Sequence, residues 1–141
     1  MDQPSFPDLR EAAVFVTGGG SGIGAALTEG FLRQGARVAF VGRSDYGAFA
    51  ERMAAETANR PLALRADITD ITALRAAIAS AEAAHGPARV LINNAADDLR
   101  HQTLTVDEAF WDRAIAISQP PAFERSPLWR GAEKSPMFRG L

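Results

Sequence analysis

The chain has 141 residues, of which 47% are hydrophobic and 23% are charged, and its formal net charge at pH 7 is −2. This balance is ordinary for one globular domain and gives no basis for binding nucleic acid or a membrane surface. The sequence contains no cysteine, which excludes disulfides and thiolate metal sites. Neither a signal peptide nor an apolar run long enough to span a membrane is found. We therefore expect a cytoplasmic protein with no metal, nucleic-acid or membrane partner.

The first strand and the first helix are predicted from two adjacent patterns. Residues 13–17 form an apolar run rich in β-branched residues, as in a buried parallel strand. Residues 22–34 follow a helical period, and Gly35 is placed to end the helix in a left-handed conformation. The residues expected on the buried face of this helix are Ile23, Leu27 and Phe31. Those expected to lie away from that face are Thr28, Glu29 and Arg33.

Strands and helices continue to alternate as far as residue 117. Further strands are predicted at residues 37–41, 62–66 and 89–96, the second of them less apolar and nearer an edge. Further helices are predicted at residues 45–57 and 106–117. A third further helix is predicted between these two. Thr69 or Asp70 caps it, and residues 85–87 end it. Its apolar face is indicated by the spacing of Ile71, Leu74 and Ile78. The connections are too long for hairpins, so the sequence predicts an α/β fold: a doubly wound parallel sheet (Rossmann-type), truncated to about four strands.

The character of the sequence changes after Ile117. Four of the eight prolines fall at positions 120, 121, 127 and 136, and no periodicity continues among them. We therefore predict a Rossmann-like domain over residues 1–117 and a divergent, poorly ordered tail over residues 118–141. The abruptness of the change suggests a frame change or a truncated reading at residue 118, a hypothesis that resequencing of the coding DNA would test.

A glycine cluster joins the first predicted strand to the first predicted helix, in the stretch "VFVTGGGSGIGAAL" at residues 14–27. Backbone N–H groups and the helix dipole at such a junction favour an anion, typically a pyrophosphate. A side chain at Gly18, Gly22 or Gly24 would hold the phosphates away or push the helix from the sheet. A flexible loop would also be rich in glycine, but the position within the first βαβ unit favours a dinucleotide site.

Three motifs resemble those of the short-chain dehydrogenases/reductases, and they follow one another along the chain in the family's order. The cofactor signature T-G-x-x-x-G-I-G is matched in full from Thr17 to Gly24, and N-N-A-G is matched at 93–96 except for Ala96. An Asp-hydrophobic pair that meets the adenine is matched by Asp67 and Ile68. The resemblance covers residues 9–117 and implies an oxidoreductase that binds a nicotinamide dinucleotide and acts on an alcohol or carbonyl. The cofactor-binding residues that it implies are Thr17, Gly18, Gly20, Ser21, Gly22, Ile23, Gly24, Asp67, Ile68, Asn94, Ala95 and Ala96.

Some of these residues also have purely structural interpretations. Taken alone, Asp67 could be a loop carboxylate near a helix cap, and the asparagine pair at 93–94 could satisfy turn backbone. The resemblance makes the second interpretation partly true, because the family's asparagine is said to brace the central strands.

The choice between the two nicotinamide dinucleotides depends on the end of the second predicted strand. A carboxylate there would accept hydrogen bonds from the ribose 2′-hydroxyl and repel a 2′-phosphate. This sequence has Gly42 in that place, followed by Arg43, whose guanidinium pairs well with phosphate, and by Ser44, which could add a hydroxyl contact. The sequence therefore favours NADP(H), while the nearby Asp45 leaves NAD open.

A substrate class is indicated by the polar segment after the asparagine pair. Asp98, Arg100 and His101 match residues of a subgroup that contains sugar dehydrogenases of the D-xylose 1-dehydrogenase type. That resemblance implies an aldose as substrate. The alternative is a charged loop that faces water.

The catalytic groups of the resembled family find no match in this chain. The family uses a Tyr-x-x-x-Lys pair as acid and base, yet this sequence has one tyrosine, Tyr46, and one lysine, Lys134, which cannot form the motif. The family's asparagine position falls on Ser118, and its serine would lie beyond Leu141. We therefore predict no catalytic residue here and an inactive N-terminal portion of a family oxidoreductase.

Two other interpretations remain open, a non-catalytic dinucleotide-binding module and a non-functional fragment. Without further strands, the apolar fourth strand would be an exposed edge that favours association, so a homo-oligomer is among the expected partners.

Overall fold

Strands and helices alternate throughout the part of the chain that the structure, a computed structural model, describes: residues 4–96 and 106–118. The strands are β1 (Ala13–Thr17), β2 (Arg37–Gly42), β3 (Leu62–Arg65) and β4 (Val90–Ile92). The α-helices are α1 (Gly22–Arg33), α2 (Gly47–Thr57), α3 (Ile71–His85) and α4 (Glu108–Ser118). One 3-10 turn, Pro7–Leu9, precedes β1. The predicted α/β alternation is confirmed.

The described strands form one four-stranded sheet in the order β3-β2-β1-β4, and all of the pairs are parallel. In the centre of the sheet, Phe15 of β1 is paired with Ala39 of β2 on one side and with Leu91 of β4 on the other. β3 lies at an edge, as its lower apolarity predicted. Because the strands are parallel, their carboxyl ends meet along one edge of the sheet, on both sides of β1.

Helices cover both faces of this sheet, which explains why β1 is apolar at consecutive positions. Alternate side chains of a strand point to opposite faces. Val14 and Val16 accordingly belong to a buried cluster with residues of α1 and α2, such as Leu32 and Met53. Phe15 instead belongs to a cluster with α3, against which Ile117 of α4 also packs. The sheet is therefore doubly wound, as predicted.

The predicted orientation of α1 is wrong for Ile23 and Thr28, whereas Phe31 packs against the buried cluster as predicted. The buried residues of α1 are Gly24, Thr28 and Leu32, whereas Ile23 is 76% exposed. A Cβ on Gly24 would overlap the backbone oxygen of Gly18, so the helix lies too close to the strand end for a large side chain. The hydroxyl of Thr28 is fully buried and donates a hydrogen bond to the carbonyl of Gly19, at 2.9 Å. The face of α1 that packs on the sheet is thus determined by how closely the helix approaches the end of the strand, rather than by the apolarity of its side chains.

Several predicted boundaries move by a few residues. The helix predicted from residue 45 begins at Gly47, because Asp45 Oδ1 accepts a hydrogen bond from the Gly47 amide at 2.8 Å and forms the preceding turn. The strand predicted over 89–96 spans only Val90–Ile92, and residues 93–96 follow it without regular secondary structure. The strand predicted at 62–66 ends one residue earlier, and β2 extends one residue further, to Gly42.

The predicted caps are confirmed. Asp70 is the N-cap of α3, and its side chain accepts hydrogen bonds from the amides of Thr72 and Ala73 at 2.9 and 3.0 Å. Gly35 follows α1 with a φ of +80°, a left-handed conformation that glycine adopts without strain. In the predicted apolar stripe of α3, Leu74 and Ile78 are buried, but Ile71 is 39% exposed because it occupies the first turn beside the cap.

Some predictions fall outside the described residues. These are the tail over residues 119–141, including Lys134, and the polar segment with Asp98, Arg100 and His101. No helix in the described ranges is long and apolar enough to cross a bilayer. The same ranges contain no group of three or more histidine and carboxylate side chains that could hold a metal ion.

Candidate functional site

A cleft of about 670 Å³ opens at the carboxyl ends of the strands. It lies where the chain order reverses, since β1 is flanked by β2 on one side and by β4 on the other. Ligands of open α/β sheets bind at this kind of switch point. The volume is within the range of about 300–1,000 Å³ that is usual for small-molecule and cofactor sites.

The glycine loop between β1 and α1 leaves backbone donors available at the cleft. Ser21 is the N-cap of α1, and no side chain hydrogen bond caps this helix. Within the described residues, the amides of Gly22, Ile23 and Gly24 find no acceptor, and the first helical bond is donated by the amide of Ala25 to Ser21. Three free amides and the positive end of the helix dipole form an arrangement that suits an anion.

Two glycines of this loop have a left-handed backbone. Gly18 has a φ of +68°, and its amide donates to the carbonyl of Val41 at 2.8 Å. Gly22 has a φ of +52°, and a Cβ placed on it would meet no protein atom within 4 Å. The space beside the first residue of α1 is therefore open.

Thr17 joins the ends of β1 and β4 beneath the cleft. Its hydroxyl accepts hydrogen bonds from the amides of Asn94 and Ala95, both at 3.0 Å. The side-chain amide of Asn94 donates to the carbonyls of Thr17 and Gly18 at 3.1 and 3.3 Å. The structural interpretation of the asparagine pair thus describes what Asn94 does: it satisfies backbone carbonyls and braces the two central strands.

The end of β2 carries the residues expected to choose between the two cofactors. Arg43 and Ser44 are exposed and line the cleft. The Nε of Arg65 donates to the carbonyl of Arg43 at 3.1 Å, which fixes the turn after β2 to the end of β3. The ring of Tyr46 covers Gly42 and Gly20, so that a Cβ on Gly42 would lie 2.6 Å from Tyr46 Cε2.

Asp67 follows β3, the neighbour of β2, and also lines the cleft. Hydrogen bonds donated by the backbone and the side chain of Thr69 lower the pKa of Asp67 below its ordinary value. Partial desolvation opposes this shift, and the positive charge of Arg43 adds to it. The distances from Asp67 Oδ1 are 2.9 Å to the Thr69 amide and 2.7 Å to its hydroxyl. The carboxylate is thus held in its charged form beside the buried side chain of Ile68.

Most of the residues that the sequence predicted for the site come together in this cleft. Those that line it are Gly18, Ser21, Ile23, Gly24, Arg43, Ser44, Asp67, Ile68, Asn94, Ala95 and Ala96. The other three do not line it: Thr17 is buried below, Gly20 lies under the Tyr46 ring, and Gly22 starts the helix beside open space.

The sequence analysis missed other residues of the lining. They are Val41, Gly42, Tyr46, Ala66, Thr69, Arg113, Ala116 and Ile117. The spacing of Arg113, Ala116 and Ile117 at i, i+3 and i+4 is a sequence signal that could have identified the face of α4 that meets the cleft. No comparable local signal points to Tyr46, because its place depends in part on Gly20, which belongs to the distant glycine loop.

The profile of the short chain dehydrogenase family matches residues 12–128. The chain therefore belongs to the short-chain dehydrogenase family, as the three sequence motifs predicted. This membership agrees with the doubly wound sheet and with the position of the cleft.

Named relatives include sugar dehydrogenases. "Probable galactose dehydrogenase GalD" of Rhizobium meliloti (strain 1021) is 50% identical over 122 residues, which are 84% of this chain and 48% of that protein. D-xylose 1-dehydrogenase of Caulobacter vibrioides (strain NA1000 / CB15N) is 40% identical over 121 residues, covering 84% of this chain and 46% of that protein. The chain thus spans about half the length of the curated relatives that it matches.

Solved structures of similar fold include complexes with both nicotinamide dinucleotides. The NADH-dependent reductase A1-R′ complexed with NAD has a TM-score of 0.76 and 26% identity, covering 91% of this chain and 56% of that one. L-sorbose reductase from Gluconobacter frateurii, complexed with NADPH and L-sorbose, has a TM-score of 0.73 and 27% identity, covering 86% of this chain and 46% of that one. These neighbours support a nicotinamide dinucleotide without choosing between the two.

Proposed function

We propose that the cleft binds a nicotinamide dinucleotide, with NADP(H) preferred, and that it belongs to an oxidoreductase acting on an alcohol or a carbonyl. The observation that supports this most directly is the set of three unpartnered amides at the start of α1, beside a cleft at the switch point of the sheet. Bound there, the nicotinamide would accept or give a hydride.

Each part of the dinucleotide has a group of residues suited to hold it. The amides of Gly22, Ile23 and Gly24 would bind the pyrophosphate, because they supply donors without a competing acceptor. Asp67 and the buried Ile68 offer a charged acceptor and an apolar surface for the adenine. The segment at 94–96 would meet the nicotinamide half, since it follows β4 on the other side of β1.

The preference for NADP(H) rests on charge at the end of β2. Gly42 provides no carboxylate to repel a 2′-phosphate, while Arg43 is an exposed cation at the cleft. Asp45 is the acid that kept NAD as an alternative cofactor. Its side chain accepts a hydrogen bond from the Gly47 amide in the turn before α2, and it does not line the cleft. Both observations favour the phosphorylated cofactor.

For the 141-residue chain by itself we propose binding without turnover. Tyr46, the sole tyrosine, lies against Gly42 at the end of β2, on the side of the cleft away from β4. No lysine that could form the family's pair with it follows at the required spacing. Reduction of NADP by this chain with any alcohol would contradict the proposal.

The substrate and the assembly of the whole protein are also proposals. The sugar dehydrogenases among the relatives, together with Asp98, Arg100 and His101, favour an aldose. For the 141-residue chain by itself we propose self-association, because within the described residues β4 is hydrogen-bonded to β1 alone and leaves an apolar edge.

The binding proposal is tested by a charge placed at the N-cap of α1. Ser21→Asp keeps a good capping residue, so the helix is preserved, but it adds a negative charge beside the free amides. We expect the dissociation constant of NADPH, measured by its fluorescence, to rise about tenfold or more, because like charges at close range cost about 1–4 kcal/mol.

Ser80→Asp is the matched control, since it adds the same charge to an exposed position in α3. It is expected to change NADPH affinity less than about twofold, because a charge that far from the site is screened. Equal affinities of the two variants, or no binding by the wild-type chain, would overturn the proposal that these amides hold the pyrophosphate.

A further inference from the structure

The side chain of Tyr46 fills the space that a side chain at Gly42 would occupy. A Cβ built on Gly42 would lie 2.6 Å from Tyr46 Cε2 and 3.0 Å from the Tyr46 hydroxyl oxygen. A Cβ on Gly20, in the glycine loop, would overlap the same ring. The phenol therefore occupies the place in which a carboxylate at the end of β2 would stand, between that strand and the loop expected to bind the pyrophosphate.

The ring of Tyr46 is fixed, whereas its hydroxyl is uncommitted. Phe40 packs edge-on against the ring, with the ring centroids 5.6 Å apart and the planes at 71°. Tyr46 is half-buried and lies at the lining of the cleft, next to Ser44. Within the described residues, no group forms a hydrogen bond with the Tyr46 hydroxyl. A polar group is thus held rigidly at the cleft without a protein partner.

The chemistry of a phenol at this place differs from that of a carboxylate. A carboxylate only accepts hydrogen bonds and repels a phosphate, whereas a phenolic hydroxyl also donates. A donor that lines the same cleft as the cation of Arg43 suits a phosphate, and the hydrogen bond is strengthened by the charge of the acceptor.

We propose that Tyr46 is a specificity-determining residue: its phenol replaces the missing carboxylate at the end of β2 and donates a hydrogen bond to the 2′-phosphate of NADP(H). This inference rests on the proposed function, since it assigns a further residue to the same site. It explains why glycines stand at positions 20 and 42, because each leaves room for the ring.

The test is Tyr46→Phe, which keeps the packing against Phe40 and the two glycines but removes the hydroxyl. The probes are NADPH and NADH, followed by fluorescence, and adenosine 2′,5′-bisphosphate and 5′-AMP, followed by calorimetry. We expect about a tenfold loss of affinity for the two ligands that carry the 2′-phosphate, the size typical of a hydrogen bond to a charged group. NADH and 5′-AMP are expected to change less than about twofold. Equal changes for both pairs of ligands, or no change for either pair, would overturn the inference.

A second variant tests the exchange of the phenol for an acid. Gly42→Asp combined with Tyr46→Ala has room for the carboxylate, and it is expected to favour NADH over NADPH. Gly42→Asp alone places the new side chain against the ring and is expected to lower the melting temperature. A double variant that still prefers NADPH as the wild type does would contradict the exchange.

If the wild-type chain binds NADPH and Tyr46→Phe binds it equally, this inference fails alone; if the wild type binds no dinucleotide, the proposed function fails with it.

Discussion

Asn94 donates two hydrogen bonds to Thr17, one from its backbone amide to Oγ1 at 3.0 Å and one from its side chain to the Thr17 carbonyl at 3.1 Å. Thr17 is fully buried at the end of β1, and Asn94 follows β4. The pair therefore sets the separation of the two strand ends between which the cleft opens.

Replacement of Thr17 by valine tests this connection. Valine keeps the shape of the side chain but leaves the amides of Asn94 and Ala95 without their acceptor. An unsatisfied buried donor costs about 1–3 kcal/mol, so we expect the free energy of unfolding in urea to fall by about 2 kcal/mol or more. Thr17→Ser is the control, since it retains the hydroxyl and should lose less. A valine variant as stable as the serine variant would show that these bonds do not hold the strands.

A second prediction concerns the titration of Asp67. The bonds from the backbone and side chain of Thr69 lower its pKa in the folded protein. Its unfolded pKa is about 3.9, so its ionised form stabilises the fold above that pH. The stabilisation is lost as the pH falls through the lower, folded value. In a carboxyl-carbon NMR titration we expect the midpoint of Asp67 to lie below the ordinary aspartate value.

Thr69→Val gives the matched comparison for this titration. It removes the hydroxyl donor to Asp67 but keeps the backbone donor, so the midpoint should move upward and remain below the ordinary value. A midpoint that does not move in the valine variant would mean that the Thr69 hydroxyl contributes nothing to the shift.

The sequence predicts the strands and the position of the cleft better than it predicts the walls of the cleft. Consecutive apolar residues identify β1 because a strand covered on both faces must be apolar on both. The glycines predict the loop since left-handed and close-packed backbone demands them. Tyr46 could not be predicted in the same way, because one of its partners, Gly20, belongs to a loop that meets it only after folding.

A third prediction concerns the cap of α3. Asp70 accepts hydrogen bonds from the amides of Thr72 and Ala73, so Asp70→Ala leaves both without a side-chain partner. We expect a loss of about 0.5–2 kcal/mol in the free energy of unfolding, measured with urea. Asp70→Asn retains an acceptor and should recover most of the loss. If the alanine and asparagine variants were equally destabilised, the cap would not be the cause.

The fourth prediction compares two glycines of the same helix. Gly24 lies where α1 meets the end of β1, and a Cβ there would overlap the Gly18 carbonyl and lie 2.6 Å from the Asn94 side-chain nitrogen. Gly30 lies further along α1, and a Cβ there meets no atom within 4 Å. The two positions share a helical backbone and differ in what surrounds them.

Alanine should therefore have opposite effects at the two positions. Gly24→Ala is expected to lower the free energy of unfolding by about 1–3 kcal/mol, since overpacking forces the helix from the sheet. Gly30→Ala should raise it by up to about 1 kcal/mol, because alanine is the better helix former and nothing obstructs it. Urea unfolding of both variants measures this difference in stability. The affinity for NADPH should fall only in the Gly24 variant, because the displaced helix carries its free amides away from the cleft. Equal stability of the two variants would mean that α1 can move from the sheet at no cost, and the close approach of Gly24 to Gly18 would then not determine the geometry of the site.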